Sequence, residues 1–198
     1  MSAGPTPTTT STAASPTTAV FTTLPTPDGP FTVLAGADAV LASGWTDDVA
    51  GLLALVHPLL RPTEVAAACV GEGGVGEAGV LGSAARALTA YYAGDLAAPA
   101  HVPVRQTSGE FRVHAWDVLR EVGPGERVTY TEYAARAGRP AAVRAAAAAC
   151  AMNAAALFVP CHRVLGADGG LRGFRYGTAI KRSLLDREAP PAPGTTLL

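Results

Sequence analysis

The segment TEYAARAGRPAAVRAAAAACAMN, residues 131–153, leaves this chain few options. TEYAARA has the composition of a short helix, with Thr131 available as its N-cap. GRP then turns the chain, because proline cannot continue the helix and pushes the residue before it toward extended backbone. AAVRAAAAACAMN resumes as a second helix of high alanine propensity. Two short helices joined by a tight turn make a helix-turn-helix, a unit able to lay its second helix in a DNA groove. A helix of small side chains can approach a groove floor closely, and Arg144 is its one long basic residue. The bland alternative stays open at this stage: a composition biased toward alanine and arginine would produce the same run, and a lone arginine is at home in solvent.

Charge separates the two halves. Residues 1–104 carry two basic and eight acidic side chains, net −6, whereas residues 105–198 carry thirteen and eight, net +5. Such asymmetry hints at a polyanion-binding second half, although the whole chain has net charge −1. Three cysteines, Cys69, Cys150 and Cys161, form no disulfide framework, which points to a reducing, cytoplasmic setting. No apolar run is long enough to span a bilayer. His57, His101, His114 and His162 are scattered without a paired Cys-x-x-Cys, so no metal site is expected.

The expected fold is α/β in the α+β sense: a small N-terminal α/β domain with a short antiparallel sheet, then a mainly helical C-terminal domain containing the helix-turn-helix. Residues 1–28, rich in Thr, Ser, Pro and Ala, read as a disordered tail. Residues 29–104 form the first domain, ending in the helical pattern LGSAARALTAYYAGD that stops near Gly94. Residues 105–192 form the second domain, and residues 193–198 a short tail. EFRVHAWDVLREV spaces its apolar residues on one helix face. LFVP reads as extended, RVLGADGGLRGF as a hairpin around Asp168-Gly169, and TAIKRSLLDREA as a closing helix.

The chemistry centres on FVPCHRVLG, residues 158–166. Only the thiolate of a cysteine attacks, and a neighbouring base or positive charge can generate it. Pro160 fixes the direction in which the chain enters Cys161, and His162 and Arg163 follow directly. Adjacent side chains diverge on a strand and converge only in a turn or at a helix start, so spacing leaves both a nucleophile and an inert core cysteine open.

PCHRV, within the longer stretch from GERVTYTEYAARAGRP through LLDREA (residues 125–189), resembles the catalytic domain of the O6-alkylguanine-DNA alkyltransferases, most closely the Ada type. The resemblance implies irreversible, single-turnover transfer of a methyl or small alkyl group from O6-alkylguanine, and from O4-alkylthymine as a second lesion, to Cys161. It implies minor-groove binding to double-stranded DNA, flipping of the base, a monomeric protein and no cofactor. Residue by residue, His162 would be the general base and Glu188 would orient it. Asn153 would brace the turn before the nucleophile, and Tyr130 would crowd the target phosphate and hydrogen-bond the flipped base. Arg144 would enter the stack, with Ala142 and Ala145 beside it at the DNA. Val164, Phe174 and Arg175 would line the base pocket. Phe174 stands where the family usually has tyrosine, and Ala154 and Ala156 replace prolines common in many members. Two rival readings are a helix-turn-helix regulator or damage sensor without chemistry, and a cysteine hydrolase that turns over repeatedly.

Overall fold

The computed structural model describes residues 17–70 and 79–189. A four-stranded sheet opens the chain, built from β1 (Thr18–Thr26), β2 (Gly29–Ala35), β3 (Val40–Gly44) and β4 (Glu64–Ala67) in the order β3-β2-β1-β4. β1 and β2 form an antiparallel hairpin, β2 and β3 are antiparallel, and β4 joins the edge parallel to β1. Between β3 and β4 lies the short helix α1 (Val49–Leu55), capped by the Asp48 side chain. The expectation of a tail through residue 28 is corrected here. TAVFTTLPT is threonine-rich, but β-branched and aromatic residues suit a pleated surface, and Ala19 and Thr22 are buried in β1. Residues 1–16 and 190–198 lie outside the described residues, and with them most of that tail and the C-terminal one.

Helix α2 (Gly79–Tyr92) follows and buries Leu81, Ala84, Leu88 and Tyr91. Gly94, at φ 112°, ends it in a conformation that side chains with a Cβ rarely adopt. The expected irregular connection contains one 3-10 turn (Ala98–His101) and an extended passage in which Val104 bridges Val40 of β3. The division placed near residue 105 falls in this passage. One hydrophobic cluster nevertheless runs across it, joining Phe31, Val33 and Tyr91 to Trp116, Tyr133, Phe158 and Leu184.

The second part comprises α3 (Glu110–Glu121), β5 (Val128–Thr129), α4 (Tyr130–Arg136), α5 (Val143–Ala151), β6 (Val164–Leu165) and α6 (Thr178–Arg187). α4 and α5 are the helix-turn-helix, with α3 packed behind them and Trp116 Nε1 donating to the Ala149 carbonyl at 2.8 Å. The cap of α4 is Thr129 rather than Thr131. Glu132 stands three residues after Thr129, so a reciprocal capping box closes, whereas Ala134 stands three after Thr131 and could not return the bond.

Two further expectations are corrected. LFVP is not extended: Leu157 sits at φ 72° in a tight turn in which Val159 N–H donates to the Ala155 carbonyl at 2.9 Å. RVLGADGGLRGF is a turn without a return strand among the described residues. β6 pairs parallel with β5, and the carbonyls of Val164 and Leu171 both accept from the Lys181 ammonium, at 2.7 and 2.6 Å, instead of entering a ladder.

Candidate active site

Cys161 opens a 3-10 turn (Cys161–Arg163) directly after Pro160. From this turn Cys161 reaches a cavity, while His162 turns to the buried carboxylate of Glu188. Cys161 is 9% exposed and forms part of the wall of a cavity of about 460 Å³, together with Tyr130, Asn153, Phe174, Arg175 and Tyr176. α5 supplies the facing wall through Ala147, Cys150 and Ala151.

Asn153 braces the turn that delivers the cysteine. Its amide donates to the Val159 carbonyl at 2.8 Å and lies 3.2 Å from Cys161 Sγ. Its oxygen accepts from Ala155 N–H and from the Gln106 amide, both at 3.1 Å, and Gln106 in turn accepts from Ala154 N–H at 2.8 Å. β3 holds the same turn from the other side. Ser43 N–H donates to the Ala154 carbonyl and its hydroxyl to the Ala156 carbonyl at 2.8 Å. Tyr176 donates to the Ser43 carbonyl at 3.2 Å, and a Cβ on Gly44 would overlap the Tyr176 hydroxyl.

Behind the cysteine, His162 and Glu188 are both buried, with Nε2 2.9 Å from Glu188 Oε1. Arg163 grips the same carboxylate with two donors at 2.8 Å. Burial opposes ionisation of Glu188, but the hydrogen bonds from His162 and Arg163 outweigh it and hold its pKa at about 2. An ionised carboxylate only accepts, so His162 Nε2 carries the hydrogen. Burial pushes the imidazole pKa down against the pull of Glu188, which keeps the ring neutral and leaves Nδ1 with a bare lone pair. Among the described residues that nitrogen is buried without a partner, a cost that catalytic groups are a recognised reason to bear. Burial likewise pushes the Cys161 thiol up, opposed by the Asn153 amide and by the charges of Lys181 and Arg175. The resting groups are a neutral thiol and a neutral imidazole. Burial raises Tyr130 to about 12, so its hydroxyl stays a donor.

The 6-O-methylguanine DNA methyltransferase DNA-binding domain model matches residues 110–190. The methylated-DNA–protein-cysteine methyltransferase of Mycobacterium leprae is 35% identical over 162 residues, covering 82% of this chain and 87% of that protein. The chain belongs to the methylated-DNA–protein-cysteine methyltransferase family. The Escherichia coli bifunctional transcriptional activator/DNA repair enzyme Ada is 44% identical over 91 residues, 46% of this chain. The chain spans only 26% of the length of that Ada protein and 22% of its Salmonella typhimurium counterpart. In three dimensions the Mycobacterium tuberculosis OGT in complex with DNA aligns with TM-score 0.67 at 28% identity, over 87% of this chain and 96% of that one. The mixed α+β architecture of the methyltransferase family is therefore the architecture of this chain.

Within this methyltransferase fold the residues singled out from sequence divide into four groups. Cys161, Asn153, Tyr130, Phe174 and Arg175 meet at the cavity, with Arg175 also donating to the Ala151 carbonyl at 2.5 Å. His162 and Glu188 lie behind the wall and touch one another. Val164 is not brought to the cavity: it is fully buried and its carbonyl holds Lys181. Ala142 caps α5, while Arg144 and Ala145 are exposed on its first turn, outside the cavity. Sequence reasoning missed Gln106, Ser43, Tyr91 and Lys181. Lys181 alone carried a signal, as the single lysine among fifteen Lys and Arg residues. Among the described residues no group of three His, Cys, Asp or Glu could hold a metal ion, and no helix is long and apolar enough to cross a membrane.

Proposed function

We propose that this chain repairs alkylated double-stranded DNA by moving a methyl or small alkyl group from guanine O6, or thymine O4, onto Cys161, once per molecule. One observation carries the reading: Cys161 lies in the wall of a cavity of about 460 Å³, and the residue after it, His162, is a buried neutral imidazole whose Nδ1 has no partner among the described residues. Relatives named methylated-DNA–protein-cysteine methyltransferases and an OGT solved with DNA support the same substrate class.

A stacked duplex shields the reacting carbon, so the base turns out into the cavity. α5 approaches the minor groove with its small side chains, and Arg144 fills the gap left in the stack, offsetting part of an unstacking cost of a few kcal/mol per step. Cys161 gives its proton through a water to His162 Nδ1. The sulfur attacks the alkyl carbon, the S–C bond forms as the C–O bond breaks, and the bonding pair leaves with the base. Tyr130 protonates the departing base and recovers its proton from solvent. The thioether has no good leaving group, so the protein is consumed. A cytosolic location fits the three free cysteines.

Intact mass after incubation with duplex DNA bearing O6-methylguanine tests this. One methyl on Cys161, restored guanine and a stop at one equivalent are expected. Cys161→Ser should bind the same DNA and gain nothing. Binding without modification would instead establish a damage sensor, and turnover beyond one equivalent would establish a hydrolytic enzyme.

A further inference from the structure

The N-terminal part of the chain reaches the buried Glu188 carboxylate. Tyr91, near the end of α2, is fully buried, and its hydroxyl donates to Glu188 Oε1 at 3.0 Å. That oxygen is the one bonded to His162 Nε2 at 2.9 Å and to Arg163 Nη2 at 2.8 Å, so one carboxylate oxygen serves three donors. Resting on the alkyl-transfer reading above, we infer that Tyr91 is a positioning residue for the reaction: through Glu188 it sets how readily His162 Nδ1 takes up the thiol proton.

The physical reason is competition for charge. A carboxylate oxygen that already accepts from a tyrosine has less negative charge to offer an imidazolium, so the Tyr91 bond favours the neutral ring. Glu188 and Lys181 face His162 from the closing segment, Arg163 from its own turn, and Tyr91 acts from α2 through Glu188. Arg163 and Lys181 oppose protonation of the ring, Glu188 favours it, and Tyr91 moderates Glu188. Removing one hydroxyl leaves Oε1 with two donors, so the carboxylate stays satisfied and only its pull on His162 changes.

Tyr92 provides a control in the same helix. Its ring stands edge-on to Tyr91 at 5.4 Å, but its hydroxyl donates to Asp28 at 2.8 Å and accepts from Trp45 Nε1 at 2.9 Å, away from Glu188. Single-turnover transfer rates across pH would be measured for the wild type, Tyr91→Phe and Tyr92→Phe. The rate falls on the acid side as His162 protonates. In Tyr91→Phe that limb should move to higher pH by about half a unit, while Tyr92→Phe leaves it in place. Coincident limbs for Tyr91→Phe and wild type, or equal shifts in both variants, would overturn the inference.

Two companion measurements keep the outcomes separate. NMR titration of the His162 ring in the wild type and Tyr91→Phe reads the same shift without any transfer; if the wild type never alkylates Cys161, the functional reading fails while this arm still decides the role of Tyr91. Should Tyr91→Phe not fold, a ring-fluorinated tyrosine at position 91, a stronger donor of the same shape, should move the His162 titration to lower pH. An unmoved titration there contradicts the inference.

Discussion

Glu188 accepts four hydrogen bonds from Tyr91, His162 and Arg163, contributed by segments up to 97 residues distant in the chain. The first turn of α5, outside the cavity, presents Arg144 and Ala145 to solvent, and Arg144 forms no ion pair among the described residues. The first region is a buried polar network and the second an exposed surface of small residues around one arginine. The contrast teaches where each is vulnerable. Loss of the Glu188 carboxylate strands buried donors, whereas truncation of Arg144 strands nothing among the described residues.

Substitutions at Glu188, Arg144 and Thr129 break or sharpen that contrast. The largest effect belongs to Glu188→Ala, which leaves the Arg163 guanidinium buried without its carboxylate. It should lower unfolding free energy by about 3–5 kcal/mol, read from a denaturant midpoint. The same network predicts a pH dependence. Glu188 titrates at about 2 in the folded chain, below the ordinary carboxylate value of about 4.3. Its contribution to stability is complete above that unfolded value and is lost as pH falls toward 2. Glu188→Gln should flatten the stability curve between about pH 4 and 2; an unchanged acid limb would place the acid sensitivity elsewhere.

Arg144→Ala should leave the fold untouched and slow transfer from duplex DNA about tenfold, equivalent to about 1.4 kcal/mol of lost compensation for unstacking. Reaction with a free-base analogue should keep its rate. Equal losses on both substrates would assign Arg144 to the displacement instead of base extrusion. The smallest effect is at the entrance to the helix-turn-helix. Thr129→Ala should cost about 1 kcal/mol through the lost capping box, with Thr131→Ala close to neutral in thermal melts. Reversed magnitudes would restore Thr131 as the cap.

The helix-turn-helix was legible from residues 131–153 because helix propensity, turn chemistry and capping act over a few residues, and α4 and α5 form there. Its cap was misplaced by two residues because the deciding partner, Glu132, serves Thr129. β1 escaped notice because a Thr-rich stretch reads alike as tail and strand until a neighbouring strand takes up its hydrogen bonds. The Cys-His pair stood out in the chain, but whether the two could cooperate depended on the 3-10 turn, which local spacing left open. Gln106 and Ser43 carried no sequence signal at all; each is an ordinary polar residue until the fold brings it to the Asn153–Val159 turn.

By itself the sequence determined the elements whose energetics are local: the two helices of the helix-turn-helix, the glycine stop at Gly94, and a proline-directed cysteine followed by a histidine. Only the tertiary structure decided the protonation of that pair. Burial acts through every neighbour at once, and the ionised Glu188, the neutral His162 and the hydroxyl of Tyr91 meet only when α2 and the end of the chain close on the same turn.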